Sequence, residues 1–115
     1  MSYIDGFVAA VPTANKEMYL QHAQAAAVVF KEFGALSVVE TWGDDVPEGK
    51  LTSFTLAVQR KSDETVIFSW ITWRDKQARD NGMKKAMEDK RLTGMEMPFD
   101  GKRMIYGGFE VVLDV

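Results

Sequence analysis

The stretch Thr65–Trp73, TVIFSWITW, decides the fold. It is β-branched or aromatic almost throughout, the composition that suits a packed, pleated strand. On an extended backbone Val66, Phe68, Trp70 and Thr72 face one way, and Ile67, Ser69, Ile71 and Trp73 the other. Neither set is polar, so this strand is expected in the middle of a sheet with both faces covered. Tyr3–Val11, YIDGFVAAV, has the same character. Ile4, Gly6, Val8 and Ala10 alternate there with Tyr3, Asp5, Phe7, Ala9 and Val11, and Asp5 is the one charge. Pro12 carries no N–H and ends that ladder.

Outward from these two strands the pattern changes period. Tyr19, Ala23, Ala26, Phe30 and Phe33 recur at spacings of three and four, which predicts a helix over Lys16–Phe33. Thr13 or Asn15 is available to cap it, and Gly34 to end it. Leu36–Val46 reads as a strand with Val38, Glu40 and Trp42 on one face, followed by the breaker-rich run Asp44–Gly49. Leu51–Arg60 fits either a short helix, through Phe54 and Val58, or partial alternation. Asp75 is placed to cap a second helix reaching about Asp89, with Arg79, Met83, Ala86 and Met87 as its stripe. Gly82 inside that helix costs about 1 kcal/mol against alanine, which points to a close helix–sheet approach. A loop over Thr93–Lys102 and a strand over Met104–Leu113 complete the chain.

Strand, helix, strand, strand, helix, strand is the ferredoxin-like βαββαβ order. The expectation is an α+β fold with a four-stranded antiparallel sheet, formed as a single domain over residues 1–115. In this topology the first and third strands are central, as their two apolar faces require. The helices cover one face. Phe7, Trp70 and Tyr106 are expected to project from the other, an apolar patch that calls for a cover. A second copy across a two-fold axis supplies one, so a homodimer of the dimeric α/β-barrel kind is expected.

Composition narrows the function classes. Among 115 residues there is no cysteine and one histidine, which leaves no thiolate nucleophile, no cysteine-based metal site and no histidine cluster within a chain. Neither a metal nor a cofactor is expected. The formal net charge of -3 argues against nucleic acid as a partner, since phosphate neutralisation supplies most of that affinity. The opening MSYIDGF lacks a basic segment followed by an apolar one, and the longest apolar run is too short to cross a bilayer. A cytoplasmic protein with no membrane association is expected. His22 lies beside the apolar stripe of the first helix and reads as a boundary residue.

The last stretch, PFDGKRMIYGGFEVVLDV over Pro98–Val115, gathers two cations, a tyrosine, a glycine pair and a glutamate. No helix follows the glycines, so Gly107-Gly108 is not a phosphate-binding loop. One of them is expected to admit a close backbone approach and the other to leave room beside Trp70. Together with YIDGF (Tyr3–Phe7), FKEFGA (Phe30–Ala35) and FSWI (Phe68–Ile71), the segment MPFDGKRMIYGGFE (Met97–Glu110) resembles the YbaA-like family of small bacterial proteins with a domain of unknown function. The resemblance implies the same ferredoxin-like fold within the dimeric α/β-barrel superfamily. It implies no particular reaction.

Strand parity nominates a ligand cleft built from Asp5, Phe7, Glu40, Trp42, Trp70, Arg103, Tyr106 and Glu110. Carboxylates set among aromatics are poorly solvated, which raises their pKa and suits acid–base work. Tyr106 would orient a polar group, with the indoles of Trp42 and Trp70 as an apolar wall. In the alternative arrangement Asp5 and Glu110 pair with Arg74, Lys102 or Arg103 across the dimer. On the last strand, Ile105, Phe109, Val111 and Leu113 are expected under the helices, and Tyr106, Gly108 and Glu110 towards the partner, with Arg103 at the strand's mouth. The residues leave a small-molecule binder and a structural or interaction module open, and the resemblance to the dimeric α/β-barrel superfamily adds a cofactor-independent monooxygenase or isomerase.

Overall fold

The structure is a computed structural model that describes residues 1–115. The two strands with apolar faces, β1 (Tyr3–Pro12) and β3 (Glu64–Trp73), pair antiparallel along their whole length, from Tyr3 opposite Trp73 to Pro12 opposite Glu64. On the outer flanks lie β4 (Ile105–Glu110) against β1 and β2 (Ser37–Trp42) against β3, giving the order β2-β3-β1-β4. The long helices α1 (Lys16–Glu32) and α3 (Lys76–Glu88) cover one face. Asp75 caps α3 by accepting from the Ala78 N–H at 2.8 Å. Gly34, at φ +110°, turns the chain away from α1. Asn15 makes no cap bond, and its side-chain amide instead donates to the Pro98 carbonyl at 3.1 Å.

Two segments differ from expectation in extent. The second strand stops at Trp42, short of Val46, and the last stops at Glu110, short of Leu113, with one further bond from the Val111 N–H to the Ser2 carbonyl. The ambiguous Leu51–Arg60 region contains one helical turn, α2 (Phe54–Ala57), whose cap Ser53 accepts from the Leu56 N–H at 3.0 Å. A short helix α4 (Lys90–Thr93) follows α3, with Asp89 as its cap.

Register corrects the expected faces. Cross-strand partners share a face. Phe7 stands opposite Ser69 and Tyr106, and Trp70 opposite Gly6 and Val39, so Phe7 and Trp70 are one residue out of step. Phe7 and Tyr106 therefore face the helices, and Trp70 faces away from them. On β4 the expected sides are exchanged as well. Ile105 and Phe109, opposite Val8 and Ile4, lie on the open face, whereas Tyr106 and Gly108 lie on the helix-facing side, Tyr106 on the edge strand and 74% exposed. Chemistry groups the aromatics together, but the ladder sorts them by register alone.

Tyr19 and Ala23 of α1 pack on Ala9, Val11 and Ile67, and Trp73 is fully buried beside Ile71 and Ala35. Burial of an aliphatic side chain such as Ile71 beside it is worth about 1.5–3 kcal/mol. Gly82 lets α3 close on this core, because a Cβ there would lie 2.4 Å from the Trp73 ring and 2.5 Å from the Phe33 carbonyl. The open face is covered at one corner only. There Val58, just past α2, joins Val8, Ala10 and Val66, and Phe54 meets Phe68 edge-on at 5.9 Å. Beyond that corner Trp70 packs on Phe68 at 5.5 Å, and Phe68, Ile105 and Phe109 stay exposed.

Candidate ligand cleft

One residue from each strand forms a row across the helix-facing side of the sheet: Glu40 of β2, Ser69 of β3, Phe7 of β1 and Tyr106 of β4. The next row is Val38, Ile71, Asp5 and Gly108. Above these rows α1, α3 and the Thr93–Met104 segment enclose a cleft of about 710 Å³. Its lining is mainly apolar, and its polar groups fall into two assemblies.

The first centres on Glu40. The Tyr19 hydroxyl donates to its Oε1 at 2.5 Å, and Tyr19 is itself buried between Trp42 and Phe99, with ring centroids 6.3 and 5.8 Å away. Burial pushes the Glu40 carboxyl above the usual carboxylate range, although hydrogen bonds from Tyr19 and Ser69 oppose the shift. Burial also raises the Tyr19 phenol, and the bond it donates to Glu40 raises it further. Tyr19 thus stays a hydrogen-bond donor, and the Glu40 carboxyl is the more readily titrated member of the pair at one edge of an apolar space. His22, three residues along α1 from Tyr19, also lines the cleft, and burial lowers its pKa so that it is neutral near pH 7.

The second assembly centres on Asp5, 4% exposed. Arg79 Nη2 donates to its Oδ1 at 2.9 Å, Arg79 Nε reaches both oxygens at 3.1 Å, and Trp73 Nε1 donates to Oδ2 at 3.0 Å. Arg79 Nη1 extends to Asp80, and its guanidinium lies over the Tyr3 ring, 5.1 Å from the centroid. Gly108 makes room for this arrangement, because a Cβ there would come within 2.5 Å of the Tyr3 hydroxyl and 2.7 Å of Arg79 Nη2. A buried carboxylate needs such compensation. The expected partners Arg74, Lys102 and Arg103 do not supply it.

Of the residues nominated from sequence, Asp5, Phe7, Glu40 and Tyr106 line the cleft, and Trp42 flanks it through Tyr19. Trp70 also borders the cleft, and Arg103 and Glu110 are placed away from it. The Trp70 ring lies on the open face beside Phe68. Arg103 is locked to Glu64 at 2.6 and 2.7 Å and to Asp100 at 3.0 Å, in a clamp on the β3 start. Glu110 stands exposed at the end of β4, opposite Tyr3. Sequence reasoning misses Tyr19, Ser69 and Arg79. Arg79 carries a readable signal: an arginine in the sheet-facing stripe of α3 needs a carboxylate, and Asp5 is the one charge among the apolar residues of β1.

A four-stranded antiparallel sheet in the order β2-β3-β1-β4, with two long helices on one face, defines a ferredoxin-like α+β protein. The chain belongs to the family described as "Protein of unknown function (DUF1428)", which matches residues 2–101. It is similar to "Uncharacterized protein YbaA" of Escherichia coli K12, 53% identical over 116 aligned residues with 99% of each chain covered. The YbaA of Shigella flexneri is similar to the same extent. Among solved structures the fold is similar to that of a mutant of SnoaB from Streptomyces nogalater, a cofactor-independent oxygenase. That similarity has a TM-score of 0.57 over 99% of this chain and 96% of SnoaB, and at 11% identity it concerns the fold alone. No helix here is long and apolar enough to cross a membrane.

Proposed function

We propose that the helix-side cleft binds a small, partly apolar molecule and that Glu40 exchanges a proton with it. The observation that carries this reading is a half-buried carboxyl, raised in pKa and hydrogen-bonded by Tyr19, at the edge of an apolar space of about 710 Å³. Clefts of this size and lining suit small ligands. A carboxyl brought closer to neutrality suits general acid–base exchange. Asp5 and Arg79, each engaged by the other, hold the opposite end rigid. The reading needs no metal, cofactor or nucleic acid, and it takes the protein to be cytoplasmic.

The working unit in this reading is a homodimer joined through the open face, where Phe68, Ile105 and Phe109 would otherwise stay in water. Native mass spectrometry of freshly purified protein tests both parts together. The expected spectrum is a dimer carrying a co-purified small molecule that is lost from Glu40→Gln. A ligand-free monomer that binds no member of a panel of small apolar compounds overturns the reading and favours an interaction module.

A second reading, a cofactor-independent oxygenase or isomerase, takes support from the same proton acceptor and from the fold shared with SnoaB. Oxygen uptake over a panel of quinols tests it. Uptake that disappears in Glu40→Gln supports the oxygenase, and silence across the panel with retained binding removes it.

A further inference from the structure

Five of the seven methionines, Met83, Met87, Met95, Met97 and Met104, line the helix-side cleft, whereas Met1 and Met18 do not. They come from three places in the chain: α3, the segment after α4, and the residue before β4. Together they form one wall facing α1 and the Glu40–Ser69–Phe7–Tyr106 row. Met87 and Met97 are 52% and 47% exposed, which puts them at the mouth. Met83 and Met104 pack against the core clusters at its base.

Two physical properties of this wall bear on what it accepts. Methionine is unbranched and polarisable, so it adapts its shape and makes favourable sulfur–aromatic contacts. Arg79, the one arginine or lysine lining the cleft, is already paired with Asp5 and Asp80, whereas Glu40 has a hydrogen bond from Tyr19 and no cationic partner. An anionic ligand would lose its hydration without finding a free cation there. Phe7, Phe30 and Phe99 add aromatic surface to the same cleft.

We propose that the methionine wall determines specificity, and that it selects an uncharged, flat, polarisable ring system carrying a hydroxyl over anionic or saturated molecules of the same size. This rests on the cleft being a ligand site, as proposed above, and adds the class of ligand. The hydroxyl is the group placed to meet Glu40.

Protein labelled with ¹³C at the methionine methyls, titrated with 1-naphthol, provides the test. Ring currents are expected to move the five cleft resonances and leave those of Met1 and Met18 in place. Saturated decahydro-1-naphthol, which loses one or two sulfur–aromatic contacts, is expected to bind about tenfold more weakly, and 1-naphthoate, whose charge finds no free cation, at least about tenfold more weakly. Equal affinity for either analogue overturns the proposal, as do shifts at Met1 and Met18 matching those in the cleft. Met87→Leu with Met97→Leu, nearly volume-conserving changes, is expected to weaken 1-naphthol while leaving decahydro-1-naphthol unchanged. Equal loss of both also overturns it. Glu40→Gln separates the two levels of the argument. The five-methyl pattern with unchanged affinity in that variant upholds the wall and removes the proton role of Glu40. If no probe moves any cleft methyl, the ligand site and its specificity fall together.

Discussion

Arg79 on α3 holds Asp5 on the central strand β1 through three contacts of 2.9–3.1 Å, with side chains 24% and 6% exposed. Removing one partner leaves a buried charge without compensation, which costs about 3–5 kcal/mol. Arg79→Met is expected to lose stability on that scale in urea unfolding. Asp5→Asn combined with Arg79→Met is expected to recover part of the loss. If the single variant unfolds at the wild-type midpoint, the pair does not anchor α3.

Glu40 and Glu64 are expected to give pH dependences of opposite sign. Burial raises the folded-state pKa of Glu40, so the native protein binds that proton more tightly than the unfolded chain does. Its contribution to stability therefore falls as pH rises from the ordinary carboxylate range through the raised value, and then stays low. Glu40→Gln removes the dependence and keeps an acceptor for Tyr19. The variant is expected to melt higher than wild type at neutral pH and to converge with it in acid.

Glu64 runs the other way. Hydrogen bonding from Arg103 is the main cause that lowers its pKa below the ordinary carboxylate range. The stabilisation is fully present above the unfolded pKa and is lost as pH falls through the folded one. Thermal melts of Glu64→Gln are expected to show a deficit at neutral pH that closes below that window. A deficit constant with pH would assign the loss to packing instead.

Gly82→Ala tests the closest helix–sheet approach. Alanine normally favours a helix over glycine by about 1 kcal/mol. Here its Cβ would meet the Trp73 ring at 2.4 Å and the Phe33 carbonyl at 2.5 Å. Overpacking of this kind costs about 1–3 kcal/mol. A lower unfolding midpoint is expected, and a higher one would show that α3 can retreat freely.

The open face gives a test of assembly. Phe109, 61% exposed, lies with its ring over Gly6 and Gly107, 3.5 Å from where their Cβ atoms would be. Phe109→Glu places a charge at the centre of the proposed contact. Sedimentation is expected to show a wild-type dimer and a variant monomer with unchanged secondary structure. A wild-type monomer at micromolar concentration removes the dimer.

The order of elements is legible because β1 and β3 are apolar on both faces, a pattern that suits central strands. Gly82 and Asp75 are legible for equally local reasons, one by its cost in a helix and the other by its cap position. The faces are not legible to the same degree. Tyr3 to Val11 offers two nearly equivalent apolar sides, so nothing in β1 alone says whether Phe7 or Gly6 shares a side with Trp70. The site divides accordingly. Asp5 and Glu40 stand out as carboxylates in strands, but Tyr19 reads as ordinary helix packing and Ser69 as a neutral strand residue. The role of Tyr19 depends on a contact between α1 and β2, and that of Ser69 on the β2–β3 register, neither of which any sequence spacing encodes.

The Glu40–Ser69–Phe7–Tyr106 row draws on all four strands, from residue 7 to residue 106. A slip of one residue at an edge strand would send one member through the sheet, and a slip between β1 and β3 would part Glu40 and Ser69 from Phe7 and Tyr106, in either case leaving a four-stranded sheet intact. The cleft is thus a stricter gauge of correct folding than secondary structure is. A misregistered molecule would keep its circular dichroism and lose the cleft, so the geometry of this side of the sheet and the secondary-structure content can be expected to part company whenever mutations loosen the ladder.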